Sequence, residues 1–453
     1  MERDRYVDFL RAWAILLVVL GHWLITGLVR RPDGEITAPE LLATVPWTQW
    51  LTLGFQIMPL FFLAGGCAAG GSWTRARAGG ATAAGWVGQR AVRLLLPTGV
   101  YSGLVLTAVA VCSALGVDPF TLALVGWALA MQFWFLPVYL LVSALTPALH
   151  ALHRRWGLLV PAAMVGLALV VGVLDLAAGL PYVGLLNYVL VWGVVYQLGF
   201  CWRDGLVGGS RALPAALVLG GGGAFAALVG LGPFPVSLIL VTGQDPSNTN
   251  PPSAAMLAWA VAQVGACLLV APAVRRLLER ERWQRAVRAT GAVSMTLYLW
   301  HMLPVLVIAA AFYLTGLAPQ PAFGSAAWWA WRVPWLLGLG LVLLATVRVL
   351  VPVERRLLSL NVGVRADAGP REAWRVWAGL GLSVWALTYF AGHGFAYGGG
   401  FPAWPALGLT AGTGLVLTAG LGTPGPRGTP GPRGARGRME PGAVTEKPVE
   451  EAA

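Results

Sequence analysis

The chain has 453 residues, of which 57% are hydrophobic and 11% charged, with a mean hydropathy of +0.70. Soluble globular proteins carry about 25% charged residues, so this composition excludes a water-soluble domain of such size. The same apolar excess excludes disorder for the bulk of the chain. A net charge of +12 invites a polyanionic partner, but the placement of the basic residues gives them another role.

Apolar runs of about 20 residues, enough to cross a hydrocarbon core of about 30 Å, recur at 10–29, 47–69, 94–115, 121–147, 157–176, 183–202, 212–231, 255–274, 291–313, 328–351, 376–397 and 402–421. They predict an all-α integral membrane protein of about twelve transmembrane helices. The first run is long enough to span and no small-residue cleavage site follows it, so it reads as a helix rather than a cleaved signal. With the N-terminus cytoplasmic and the spans alternating, both termini are cytoplasmic. The inner side then receives 28 of the 31 basic residues, leaving only Arg30, Arg31 and Arg332 outside. That bias is the positive-inside pattern of a multi-pass protein of the cell membrane, and no nucleic acid is needed to explain the charge. Tryptophans fit the same map: Trp47, Trp50, Trp328, Trp329, Trp331 and Trp404 mark outer ends, and Trp73, Trp156, Trp202, Trp374 and Trp377 inner ends.

Ionisable groups within apolar spans are costly and are functional candidates by default. The first span reads Asp8-Phe-Leu-Arg11-Ala-Trp-Ala-Ile-Leu-Leu-Val-Val-Leu-Gly-His22. On an ideal helix Arg11 and His22 differ by about 20° in azimuth and about 16 Å in height. One stripe thus carries a cation at the cytoplasmic rim and an imidazole deep in the membrane. Asp8 stands three residues before Arg11, placed to pair with it. Ahead of the third span, Arg90 and Arg93 share a helix face where guanidinium forks suit phosphate oxygens. Taken alone the pair is weak evidence, since positive-inside anchoring explains most such pairs.

Gly220–Gly223 opens the seventh span and reads as close helix packing or a kink. The outer loop Gly243-Gln-Asp-Pro-Ser-Asn248-Thr-Asn250-Pro-Pro offers amides and hydroxyls to a sugar, though such residues also make ordinary turns. In the ninth span, Ser294, Tyr298 and His301 follow i, i+4, i+7 and share a face. His301 is expected at the depth of His22, so the two could line one cavity. Cys67, Cys112, Cys201 and Cys267 lie singly in spans, without metal-type spacing or a disulfide framework. The Gly-Pro-Arg-rich stretch from 422 onward reads as a disordered cytoplasmic tail.

Together these residues resemble the acyltransferase-3 family of integral membrane O-acyltransferases, whose hallmark is an Arg-x10-His first helix, here Arg11 and His22. Similar too are Tyr6-Val-Asp8-Phe-Leu-Arg11-Ala, Met58-Pro-Leu-Phe-Phe-Leu-Ala-Gly65, Arg90-x-x-Arg93, Phe133-Trp-Phe-Leu136, Ser294-Met-Thr-Leu-Tyr298-Leu-Trp-His301 and Val353-Glu354-Arg355. They occur in order over residues 5–356. Ala64 departs from the serine frequent in the family, and the last two spans exceed its usual ten-helix core. The chain accordingly divides into a membrane core at 1–356, a cytoplasmic linker with two additional spans at 357–421, and the tail at 422–453.

The resemblance implies transfer of an acyl group, usually acetyl from acetyl-CoA, to a hydroxyl of a carbohydrate, glycolipid or glycosylated metabolite. Arg90, Arg93 and Arg11 would hold the donor phosphates, and His22 would act as general base. Tyr298, Ser294 and His301 would orient the acceptor or stabilise the oxyanion. Ser294 is also a candidate nucleophile, so direct and covalent transfer both stay open. Glu354, beside two arginines, reads as an ion-pair residue. Acyl-CoA enters as donor substrate; no permanently bound cofactor and no metal is expected, and the partners are the bilayer, acyl-CoA and a sugar-containing acceptor. A secondary transporter or lipid-linked glycan flippase would share the spans and buried histidines. Transporters often carry internal repeats with matching broken helices, and the sequence shows none.

Overall fold

A computed structural model describes residues 4–359 and 364–419; the tail expected at 422–453 lies outside them. The described residues are 75% helical, and strand among them is confined to a short antiparallel pair, β1 (Val29–Arg30) and β2 (Ile36–Thr37). The α-helices of six or more residues begin with α1 (Arg5–Ile25), α2 (Met58–Ala78), α3 (Ala83–Ala114), α4 (Pro119–Ala128), α5 (Phe135–Ala144), α6 (Thr146–Trp156), α7 (Leu159–Leu176) and α8 (Leu186–Arg203). There follow α9 (Ala212–Gly230), α10 (Ala254–Leu277), α11 (Glu281–Ala292), α12 (Ser294–Trp300), α13 (Leu303–Ile308), α14 (Ala326–Leu358), α15 (Pro370–His393) and α16 (Ala403–Thr418).

Side-chain caps start several of these helices. Asp4, Thr82, Asp118, Ser253 and Ser325 accept from the first free backbone N–H groups of α1, α3, α4, α10 and α14. Among the described residues eight helices are long and apolar enough to cross a membrane, and two bent helix pairs bring the number to ten. The chain is therefore a multi-pass all-α membrane protein. The last two apolar runs form the hairpin of α15 and α16, which by length and apolarity are not among those ten.

Small residues let the helices approach. A side chain at Gly66 of α2 or Gly199 of α8 would strike the facing backbone. Of Gly220–Gly223, only Gly221 packs in this way, against Ala258 and Ala262 of α10; the other three face open space. Two of the mapped tryptophans, Trp328 and Trp73, are buried against protein: Arg332 lies 3.9 Å over the Trp328 ring and Trp86 meets Trp73 edge-on.

The two bent pairs matter most for function. Between α4 and α5, bent by 48°, the free carbonyl of Leu129 accepts from the Tyr101 hydroxyl (2.7 Å) and from Gln132 Nε2 (3.0 Å). Between α12 and α13, bent by 42°, Pro304 removes a backbone donor. There the carbonyls of Leu299 and His301 accept from Gln132 Nε2 (3.3 Å) and Trp23 Nε1 (2.7 Å). Hydrocarbon supplies no substitute partner for a freed carbonyl, so each break is held by side chains from neighbouring helices. α1 is fixed at both ends: Tyr6 donates to the Cys267 carbonyl (2.6 Å), and Arg332 to that of Thr26 (2.8 Å).

Candidate active site

A cavity of about 1880 Å³ follows α1 along its whole length, from Asp8 and Arg11 past Ile15, Val18 and His22 to Thr26. Its first end is cationic: Arg93 of α3 and Arg288 of α11 join Arg11 there. Its other end is framed by loops, with Glu35, Glu40, Thr242, Thr249 and Asn250 in the lining. Between them the walls are mostly apolar and aromatic, including Phe61, Phe135 and Tyr298.

His22 Nδ1 lies 2.7 Å from His301 Nε2, and the rings stack with centroids 4.9 Å apart. With both rings neutral, the partners fix the protons. His301 Nδ1 is 2.9 Å from the carbonyl oxygen of Tyr298, which can only accept, so Nδ1 carries a hydrogen. His301 Nε2 is then an acceptor and His22 Nδ1 the donor to it. The lone pair of His22 is left on Nε2. His22 is half-buried and lines the cavity, whereas His301 is fully buried and lies outside the lining. One imidazole faces the ligand space and the other holds its tautomer, the arrangement a general base requires.

A family model described as an acyltransferase domain, that of the acyltransferase-3 family, matches residues 4–351. The chain belongs to the acyltransferase-3 family. No curated protein and no solved structure matches it. The matched segment runs from the cap of α1 into α14 and contains both histidines, while α15 and α16 lie beyond it.

The remaining site candidates of this acyltransferase separate. Arg11 and Arg93 line the cationic end, but Arg90 does not: its guanidinium lies 4.6 Å over the Trp86 ring, one turn back on α3. An Arg-x-x-Arg spacing on one helix face does not make both side chains reach one cavity. His301 was expected to share the cavity wall with His22 and instead stands behind it. Tyr298 lines the cavity, and its hydroxyl donates to the Gln132 carbonyl (2.8 Å), which leaves that proton unavailable to an oxyanion. Ser294 lines the cavity and donates to the Gly291 carbonyl (3.1 Å), and among the described residues no imidazole is hydrogen-bonded to it. Glu354 accepts from the Thr296 hydroxyl, tying α14 to α12, and among the described residues no arginine forms an ion pair with it. In the loop, Thr249 and Asn250 line the cavity, but Asn248 is structural, donating to the carbonyls of Pro235 (2.6 Å) and Ser237 (2.9 Å).

Two cavity residues were not singled out by the sequence. Arg288 is one of several basic residues around α11, and only the turn into α12 selects it. Gln132 sits at the break before Phe133-Trp-Phe-Leu136; it is 1% exposed, and its Oε1 has no donor among the described residues. A lone glutamine in an apolar run next to a recognised motif was the available signal.

Proposed function

We propose that this acyltransferase moves an acyl group from acyl-CoA to a hydroxyl of a carbohydrate, glycolipid or glycosylated metabolite. The observation that carries the reading is the His22–His301 pair in the wall of a cavity whose one end holds three guanidinium groups. An acyl-CoA is an anionic nucleotide joined by a flexible arm to a thioester. Arg11, Arg93 and Arg288 bind its phosphates, and the arm lies along α1, whose Arg11–His22 rise of about 16 Å brings the thioester to the imidazole. His22 Nε2 accepts the proton of the acceptor hydroxyl as its oxygen attacks the thioester carbon. The C–S bond then breaks, and the imidazolium returns that proton to the CoA thiolate. Direct transfer agrees with the Ser294 hydroxyl, which donates to the Gly291 carbonyl.

The cationic end faces the cytoplasm by the positive-inside pattern, with twelve crossings and both termini on that side. The acceptor enters from the opposite, loop-framed end. The test is purified full-length protein in nanodiscs with acetyl-CoA and a panel of soluble and lipid-linked glycosides, free CoA being read with a thiol reagent and products by mass spectrometry. Wild type releases CoA and forms an acyl glycoside, and His22→Ala does neither while still binding acetyl-CoA. Equal release by His22→Ala, or glycoside uptake into vesicles without any dependence on CoA, would refute the reading.

A further inference from the structure

One helix beyond the family match, α15, is built into the wall of the cavity. At the turn after α15, Phe395 is fully buried among Phe133, Tyr101 and Phe390, with ring centroids 5.5, 6.2 and 4.7 Å away. Its backbone N–H donates to the Gly126 carbonyl of α4 (3.2 Å). The two backbones are in contact: a Cβ at Gly126 would meet the nitrogen of Ala396 at 2.8 Å, and one at Gly394 would meet Trp127 at 2.9 Å. The hairpin is thereby wedged against the break between α4 and α5.

This wedge brings Thr388, Ala391 and Gly392, spaced i, i+3, i+4 on one face of α15, into the lining of the cavity. Ala128 and Met131 of the break and Val305 of α13 continue that lining. Met131 adjoins Gln132, whose carbonyl holds the Tyr298 hydroxyl, so this recess borders the helix that ends at His301. None of these lining residues is charged. The loop-framed end, with its carboxylates and amides, suits a hydroxylated acceptor; the recess suits hydrocarbon. A donor anchored by its phosphates at the cationic end, with its thioester at His22, has its acyl chain still to place.

We propose that the recess between α4, α13 and α15 receives the acyl chain of the donor, that this chain is longer than acetyl, and that Ala391 and Gly392 set its length. The inference rests on the donor reading above and names the substrate class for the same cavity.

Gly392 supplies the test. A Cβ there meets nothing within 4 Å, so Gly392→Phe fills space without displacing protein. Gly381, on the same helix, is equally open but lies outside the lining, so Gly381→Phe adds the same ring elsewhere. Purified full-length protein in nanodiscs is equilibrated with radiolabelled acetyl-CoA, which is displaced with unlabelled acetyl-CoA or hexanoyl-CoA. Wild type binds hexanoyl-CoA about tenfold or more tightly than acetyl-CoA, since each added methylene leaves water. Gly392→Phe lowers that ratio about tenfold and Gly381→Phe leaves it in place. A wild type indifferent to chain length, or an equal drop in both variants, overturns the recess while leaving the donor reading intact. Failure of both acyl-CoAs to bind wild type removes the donor reading and the recess with it.

Discussion

Replacing His301 tests the division of labour between the two histidines. Without His301 Nε2, the Nδ1–H of His22 loses its acceptor at 2.7 Å. A stranded buried donor costs about 1–3 kcal/mol, and the ring is free to adopt the other tautomer. At tenfold per 1.36 kcal/mol, kcat falls about 5- to 150-fold in His301→Leu. Removing the base itself, in His22→Ala, costs about 10²- to 10⁴-fold. The two residues act as a unit, so the double variant is no slower than His22→Ala alone. His301→Gln, whose amide oxygen can accept the same hydrogen, recovers part of the loss. The assay is CoA release at varied acetyl-CoA, with thermal melting of each variant to separate folding from catalysis. KM for the donor stays near wild type, because the guanidinium groups stand at the other end of α1. Multiplicative losses in the double variant, or a change in donor KM with kcat preserved, would refute the relay.

Arg93→Ala and Arg288→Ala each remove a charge-assisted contact worth about 1.5–3 kcal/mol and raise donor KM by about 10- to 150-fold. Arg90→Ala leaves donor KM near wild type and lowers the melting temperature, because it loses its place over Trp86. Ser294→Ala costs at most one hydrogen bond, about 0.5–1.5 kcal/mol, and still turns over; complete inactivity with intact folding would instead indicate a covalent acyl-enzyme. Tyr298→Phe loses the bond to the Gln132 carbonyl and destabilises the protein by about 1 kcal/mol, read as a lower melting temperature with donor KM unchanged. Gly66→Val abolishes the folded protein on size-exclusion chromatography, since its side chain would occupy the space of the α8 backbone.

The sequence by itself determined the class of molecule, because hydrocarbon imposes a length and an apolarity on every crossing and makes each intramembrane ion conspicuous. It also carried the Arg11–His22 stripe, since both residues ride one helix and helical periodicity aligns them. Tertiary structure decided everything that depends on two helices meeting. Only packing shows that His301 stands behind His22, that Arg288 replaces Arg90 at the cationic end, and that Gln132 satisfies carbonyls at both breaks. Residues far apart in the chain share no periodicity, so no spacing rule could pair His22 with His301. The role of α15 was hidden for the same reason: its Thr388, Ala391 and Gly392 are ordinary membrane-helix residues until Phe395 wedges that helix into the wall of the cavity.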